Sequence, residues 1–103
     1  MLEQSVPRWS VSFALEGDID TASVPAVSQP LFDLLEHREC SELQVDCSRV
    51  SLIDARGLSM MARAQRVADE NNCRLMWMDP SAPLLKMLSD TGMHEYLSIA
   101  VSS

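Results

Sequence analysis

Few residues in this chain are of a type that does chemistry, and their spacing points to binding. His37 and His94 belong to no metal-ligand cluster such as His-Glu-x-x-His, and neither falls at a strand-to-helix junction. Both read as surface or structural residues. Cys40, Cys47 and Cys73 contain no Cys-x-x-Cys pair, so they make neither a disulfide framework nor a zinc site. Cys47 falls on an apolar strand face, where packing explains it better than nucleophilic work. No glycine-rich run is present to cradle a phosphate, since Gly17 and Gly57 each stand alone. The sequence therefore predicts no enzyme, no cofactor and no metal site.

The informative stretch is Ile53, Asp54, Ala55, Arg56, Gly57, Leu58, where a strand gives way to a helix. Partners and ligands of α/β sheets meet the carboxyl ends of strands and the N-termini of helices. Asp54 suits the N-cap, a role typically worth about 1 kcal/mol. Its neighbours break local rules. Arg56 sets a cation at the positive end of the helix, unfavourable by roughly 0.3–1 kcal/mol, and Gly57 gives up about 1 kcal/mol of helix propensity relative to Ala. Such breaches mark functional or close-packed positions. A functional reading is favoured for both residues, against a hydrated Arg56 and a Gly57 wedged on the sheet.

The elements that position this junction follow from hydrophobic period. Trp9, Val11, Phe13 and Leu15 alternate with small residues and predict a strand over 9–15, punctuated by Gly17, Asp18 and Asp20. Thr21 is the expected N-cap of a helix with apolar positions Val24, Val27, Leu31, Leu34 and Leu35, kinked or delayed by Pro30. Leu43, Val45 and Cys47 open a second strand that runs to Ile53. A strong helix follows Asp54: Leu58, Met61, Ala62 and Ala68 mark its apolar face, widened by Met60, Ala64 and Val67. Ser59, Arg63, Arg66 and Glu70 form its polar stripe, with Arg66 and Glu70 an i,i+4 pair. Asn71 and Asn72 end it. Leu75–Met78 reads as a strand buried on both faces. Ser81 caps a short helix closed by Gly92, and Leu97, Ile99 and Val101 give a last strand. Strand and helix alternate throughout, which predicts a small α/β domain with a mostly parallel or mixed sheet of four to five strands and three to four helices. The ends, 1–5 and 102–103, are expected to fray.

Composition agrees with that class. The 103 residues make room for one domain, 1–103, and 47% hydrophobic with 22% charged residues suits an independently folding protein. A formal charge of −7 disfavours nucleic acid and anionic membranes as partners. The charge is uneven: residues 1–48 carry nine acids and two Arg, residues 49–103 six of each sign. No run approaches the roughly 18–20 apolar residues of a membrane span, and the N-terminus lacks a secretory pattern, so a cytoplasmic location is expected.

The order of motifs resembles a known family. Gly-x-x-Asp at Gly17–Asp20, Asp-x-x-Gly-Leu at Asp54–Leu58, Pro-Ser-x-Pro at Pro80–Pro83 and Thr-Gly at Thr91–Gly92 are similar to the STAS domains of bacterial anti-sigma factor antagonists, over residues 9–100. The resemblance implies a non-catalytic signalling domain of transcription regulation. It would bind an anti-sigma factor, often a serine kinase of histidine-kinase-like ATPase fold, and so release a sigma factor. The family's switch is Asp-Ser-Ser-Gly or Asp-Ser-Thr-Gly, phosphorylated on its third residue. Here that residue is Arg56, which accepts no phosphate and, being cationic, is no mimic of one.

The implied docking surface joins Asp18, Asp20 and Thr21 with Asp54, Ala55, Arg56, Gly57, Ser59, Met60 and Arg63. Ser59 and Ser51 are remote substitutes as phosphate acceptors. The alternative is the STAS subunit that docks on the ATPase of a lipid-transport ABC system. A small-ligand or nucleotide sensor at the helix N-terminus has only Arg56 and free N–H groups behind it.

Overall fold

The computed structural model describes residues 10–36 and 41–102. In chain order it runs β1 (Ser10–Ile19), α1 (Val24–Glu36), β2 (Glu42–Ile53), α2 (Ala55–Glu70), β3 (Arg74–Met78), α3 (Ala82–Thr91), a 3-10 turn (Met93–Glu95) and β4 (Ile99–Ala100). The strands form one sheet in the order β1-β2-β3-β4, and each neighbouring pair is parallel. A parallel neighbour needs a crossover, and α1, α2 and α3 supply them. This is the α/β architecture the alternation predicts. Of the range left open, four strands and a wholly parallel sheet are realised among the described residues. Trp9, His37 and Cys40 lie outside them, as do residues 1–5.

β1 runs four residues past the predicted end at Leu15, to Ile19. Gly17, which reads as a strand terminator, instead takes φ +78° inside the strand, and the register against β2 shifts on either side of it. Glycine tolerates that conformation, so the chain absorbs a bulge and resumes pairing at Asp18 with Leu52 and Ile19 with Ile53.

Asp20, and not Thr21, organises the turn that leads into α1. Asp20 Oδ1 accepts the backbone N–H groups of Ala22 (3.1 Å) and Ser23 (3.0 Å), and Ser23 Oγ accepts the Asp20 N–H at 3.0 Å. This reciprocal arrangement satisfies backbone donors of the turn ahead of the helix. Thr21 is exposed within that turn. Pro30 lies inside α1 on its exposed side, and the Ala26 carbonyl that its missing N–H cannot serve belongs to an exposed residue.

β3 alternates. Leu75 and Trp77 are buried while Met76 and Met78 are half-buried, so only one face of this strand is sealed, contrary to the reading of its apolar run. Trp77 is the largest fully buried side chain, packed in a core with Leu15, Ile19, Leu43, Met61 and Leu84. Its indole N–H needs an acceptor, and Gln65 on the buried face of α2 provides one: Gln65 Oε1 accepts from Trp77 Nε1 at 3.0 Å and from the Ser98 N–H at 3.1 Å. One amide oxygen thereby ties α2 to β3 and to the segment entering β4.

Ser81 and Gly92 bound α3 as predicted. Ser81 Oγ accepts the Leu84 N–H and donates to the Val50 carbonyl at 2.7 Å, and Gly92 takes φ +78° at the C-cap. The last strand is shorter than its alternation suggests, ending at Ala100 with Val101 exposed. Ser102 is not frayed: Asp79 Oδ1 accepts its N–H (2.7 Å) and Asp79 Oδ2 its hydroxyl (2.8 Å). Arg66 and Glu70 form no ion pair; the described pairs are Arg49 with Glu16, Lys86 with Asp90 and His94 with Glu95.

Replacing Gln65 by Leu leaves the buried Trp77 indole N–H and the part-buried Ser98 N–H without their acceptor. The Gln65→Leu variant is expected to lose about 1–3 kcal/mol in urea denaturation with its fold retained by circular dichroism.

Candidate functional site

The carboxyl ends of β1 and β2 lie side by side, because Ile19 pairs with Ile53 and the Asp54 N–H donates to the Ile19 carbonyl at 3.2 Å. This brings the turn at Asp18, Asp20 and Thr21 beside the start of α2. Asp54 caps α2 as its position predicts, its Oδ1 accepting the Gly57 N–H at 3.0 Å. The carboxylates of Asp54 and Asp20 are thus engaged in holding helix starts. Asp18 is exposed, and its carbonyl accepts the Ser23 hydroxyl at 2.6 Å.

Gly57 has a structural cause. It is buried, and a Cβ there would stand 2.7 Å from the Ile19 carbonyl oxygen, 2.7 Å from Ile53 Cγ1 and 3.0 Å from Ile19 Cγ2. The breach of helix propensity at Gly57 comes from close packing, which replaces the functional reading of that residue. Met60 is also buried, at 5% exposure, and presents little surface. Ala55, Arg56, Ser59 and Arg63 are exposed. Arg56 makes no ion pair or hydrogen bond among the described residues.

Sequence reasoning missed the contribution of α1. The Arg63 guanidinium lies over the Phe32 ring, 4.8 Å from its centroid, a cation–π contact between α2 and α1. Between these helices opens a cleft of about 200 Å³, lined by Val24, Ser28 and Phe32 on one side and Arg56, Ser59, Met60 and Arg63 on the other. Val24 and Phe32 gave no functional signal because their spacing is that of core positions. A second, apolar cleft of about 240 Å³ flanks the other side of α2, between Ala55, Leu58, Ser59 and Ala62 and the chain at Thr91 and Met93. The first turn of α2 therefore stands as a ridge between two clefts, with Arg56 facing one of them.

Cys47 is fully buried, its thiol 3.5 Å from the Val45 carbonyl. Burial, and then the negative charges of Asp46 and Asp79, push that thiol up to about 12. On the same strand the Ser48 N–H and hydroxyl hold the Asp46 carboxyl below its ordinary range. His94 is exposed, with Nδ1 3.3 Å from the Leu88 carbonyl. Among the described residues no group of three or more His, Cys, Asp or Glu is placed to hold a metal ion, and no helix is long and apolar enough to cross a membrane.

Comparison with known proteins gives the family. A family model described as "Mlab, STAS domain" matches residues 5–100. The chain belongs to the STAS domain family. No curated protein sequence matches it significantly. Among solved structures, this STAS domain shares its fold with the anti-sigma factor antagonist SpoIIAA in its unphosphorylated form, at 15% identity and a TM-score of 0.72 over 100% of this chain and 87% of that one. The phosphorylated form of SpoIIAA, a Bacillus cell fate determinant, is similar at 16% identity and a TM-score of 0.70, covering 100% and 90%. The STAS domain of a SulP transporter from Vibrio cholerae is similar at 14% identity and a TM-score of 0.67, covering 93% and 76%.

Two outcomes test these assignments. Gly57→Ala forces apart groups that include a backbone carbonyl and is expected to lose about 1–3 kcal/mol, measured by urea denaturation. Because the Cys47 thiol rises from its ordinary 9.0 to about 12 on folding, its contribution is whole below pH 9.0 and is lost as pH climbs toward about 12. The alkaline fall in stability is accordingly shallower in Cys47→Ala, compared by denaturant titration from pH 8 to 11.

Proposed function

We propose that this STAS domain is a non-catalytic docking module of the anti-sigma factor antagonist type, acting in the cytoplasm and engaging an anti-sigma factor or a serine kinase of histidine-kinase-like ATPase fold. Asp18, Thr21, Ala55, Arg56, Ser59 and Arg63 form its contact surface, with Asp20, Asp54, Gly57 and Met60 holding that surface in place. The observation that carries the reading is Arg56: exposed, unpaired among the described residues and mounted on a helix start pinned to two strand ends. A rigidly held cation on an acidic body sets orientation and encounter rate for an acidic partner.

SpoIIAA is described in unphosphorylated and phosphorylated forms. Arg56 stands where the family motif carries its phosphate acceptor, so docking in this chain is not switched by phosphorylation there. Ser59, on the same exposed stripe, and Ser51, exposed on β2, remain the substitute acceptors.

A second reading has its own support. The fold is shared with a transporter's STAS domain, and the matching family model carries a description other than that of an antagonist. In that reading the same ridge docks on the ATPase of a lipid-transport ABC system.

Calorimetric titration against the ATPase-fold anti-sigma factor of the same host tests the first reading, and the host's transporter ATPase tests the second. Arg56→Glu is expected to weaken the true partner at least tenfold while leaving the unfolding midpoint unchanged. Unchanged affinity removes Arg56 from the interface. Incubation of the intact protein with ATP and that kinase is expected to add no phosphate within residues 54–57 by mass spectrometry.

A further inference from the structure

Resting on the docking reading above, we infer that the cleft between α1 and α2 seats an acidic amphipathic helix of the partner, with one apolar side chain inserted between two carboxylates. The floor of the cleft is apolar, with Phe32 and Val24 from α1 facing Met60 from α2. Its α2 rim carries Arg56 and Arg63, neither ion-paired among the described residues. The Arg63 guanidinium carbon lies 4.8 Å over the Phe32 ring, and its N–H groups make no hydrogen bond among the described residues, so they are open to a carboxylate.

The spacing selects the occupant. Seven residues of helix separate the two arginines by about 10 Å along the axis, a distance that suits carboxylates two turns apart on a facing helix and not a single phosphate. The helix end itself is poorly suited to phosphate. Its Gly57 and Leu58 N–H groups are already bonded to Asp54, whose carboxylate repels an anion at that place. Residues 55–66 hold Arg56, Arg63 and Arg66 and no acid, in a chain of net charge −7. The cleft is thus a cationic, apolar-floored seat on an acidic protein, complementary to a segment of the pattern Glu-x-x-x-Leu-x-x-Glu.

The test is a titration of the full isotope-labelled chain with a synthetic helical peptide carrying that pattern, followed by amide NMR shifts. Saturable shifts at Val24, Ser28, Ser59 and Arg63 are expected, with affinity at least tenfold weaker for the peptide with both Glu changed to Gln. The same loss is expected in Arg56→Gln and Arg63→Gln, and Ser28→Trp, which fills the cleft without altering charge, is expected to block binding. Absence of saturable shifts, shifts centred on another face, or displacement of the peptide by equimolar inorganic phosphate overturns the inference. So does self-association of the chain through these residues in sedimentation. The docking reading fails separately. If Ser28→Trp leaves the titration against the partner ATPase intact while Arg56→Glu weakens it, the ridge docks without the cleft; if Arg56→Glu also has no effect, the docking reading itself falls.

Discussion

The absence of one methyl group at Gly57 governs this structure. With no Cβ, the first turn of α2 lies directly on the Ile19 carbonyl and the Ile53 side chain. That closeness also lets Asp54 serve as both a cap for α2 and a link from β2 to β1, through its carboxylate and its N–H respectively. Two strand ends and a helix start are thereby locked in one small region. Everything exposed there, Arg56 above all, inherits its direction from rigid elements and not from a loop.

The rest of the molecule keeps that region in place with few polar contacts. Gln65 joins α2 to β3 and the β4 entry through one shared oxygen, and Asp20 and Ser23 fix the start of α1. On the far side, Ser81 bonds to the carbonyls of Cys47 and Val50, fastening α3 to the long β2. The Gln65 and Ser81 links join elements distant in sequence, while the N-terminal ridge of α2 stays open to solvent between two clefts.

What the sequence makes legible is whatever depends on local period and capping chemistry. The strand and helix order, the Asp54 and Ser81 caps and the Gly92 stop follow from residue type at a fixed offset, and all are present. Gly17 misleads for the opposite reason: the same positive φ serves a turn or a bulge, and only the length of the neighbouring β2 decides between them. Asp20 and Thr21 are both good caps, and the choice rests on which carboxylate or hydroxyl the turn aims at open N–H groups. Gln65 is invisible until Trp77 is known to be buried opposite it, although a polar residue among Met61, Ala64 and Ala68 is itself a signal. The part played by α1 in the candidate site has no local signature at all, since Val24 and Phe32 occupy ordinary apolar positions.

The adjacent departures from helix preference at Arg56 and Gly57 therefore separate in kind. Gly57 is fully accounted for by the atoms around it, so its presence says nothing about a partner. Arg56 has no such account: it is exposed, makes no ion pair among the described residues, and sits at the helix end where a cation is least favoured. Asp54 at the same end offsets part of that penalty without touching it. Of the two departures, Arg56 is thus the one that packing among the described residues leaves unexplained.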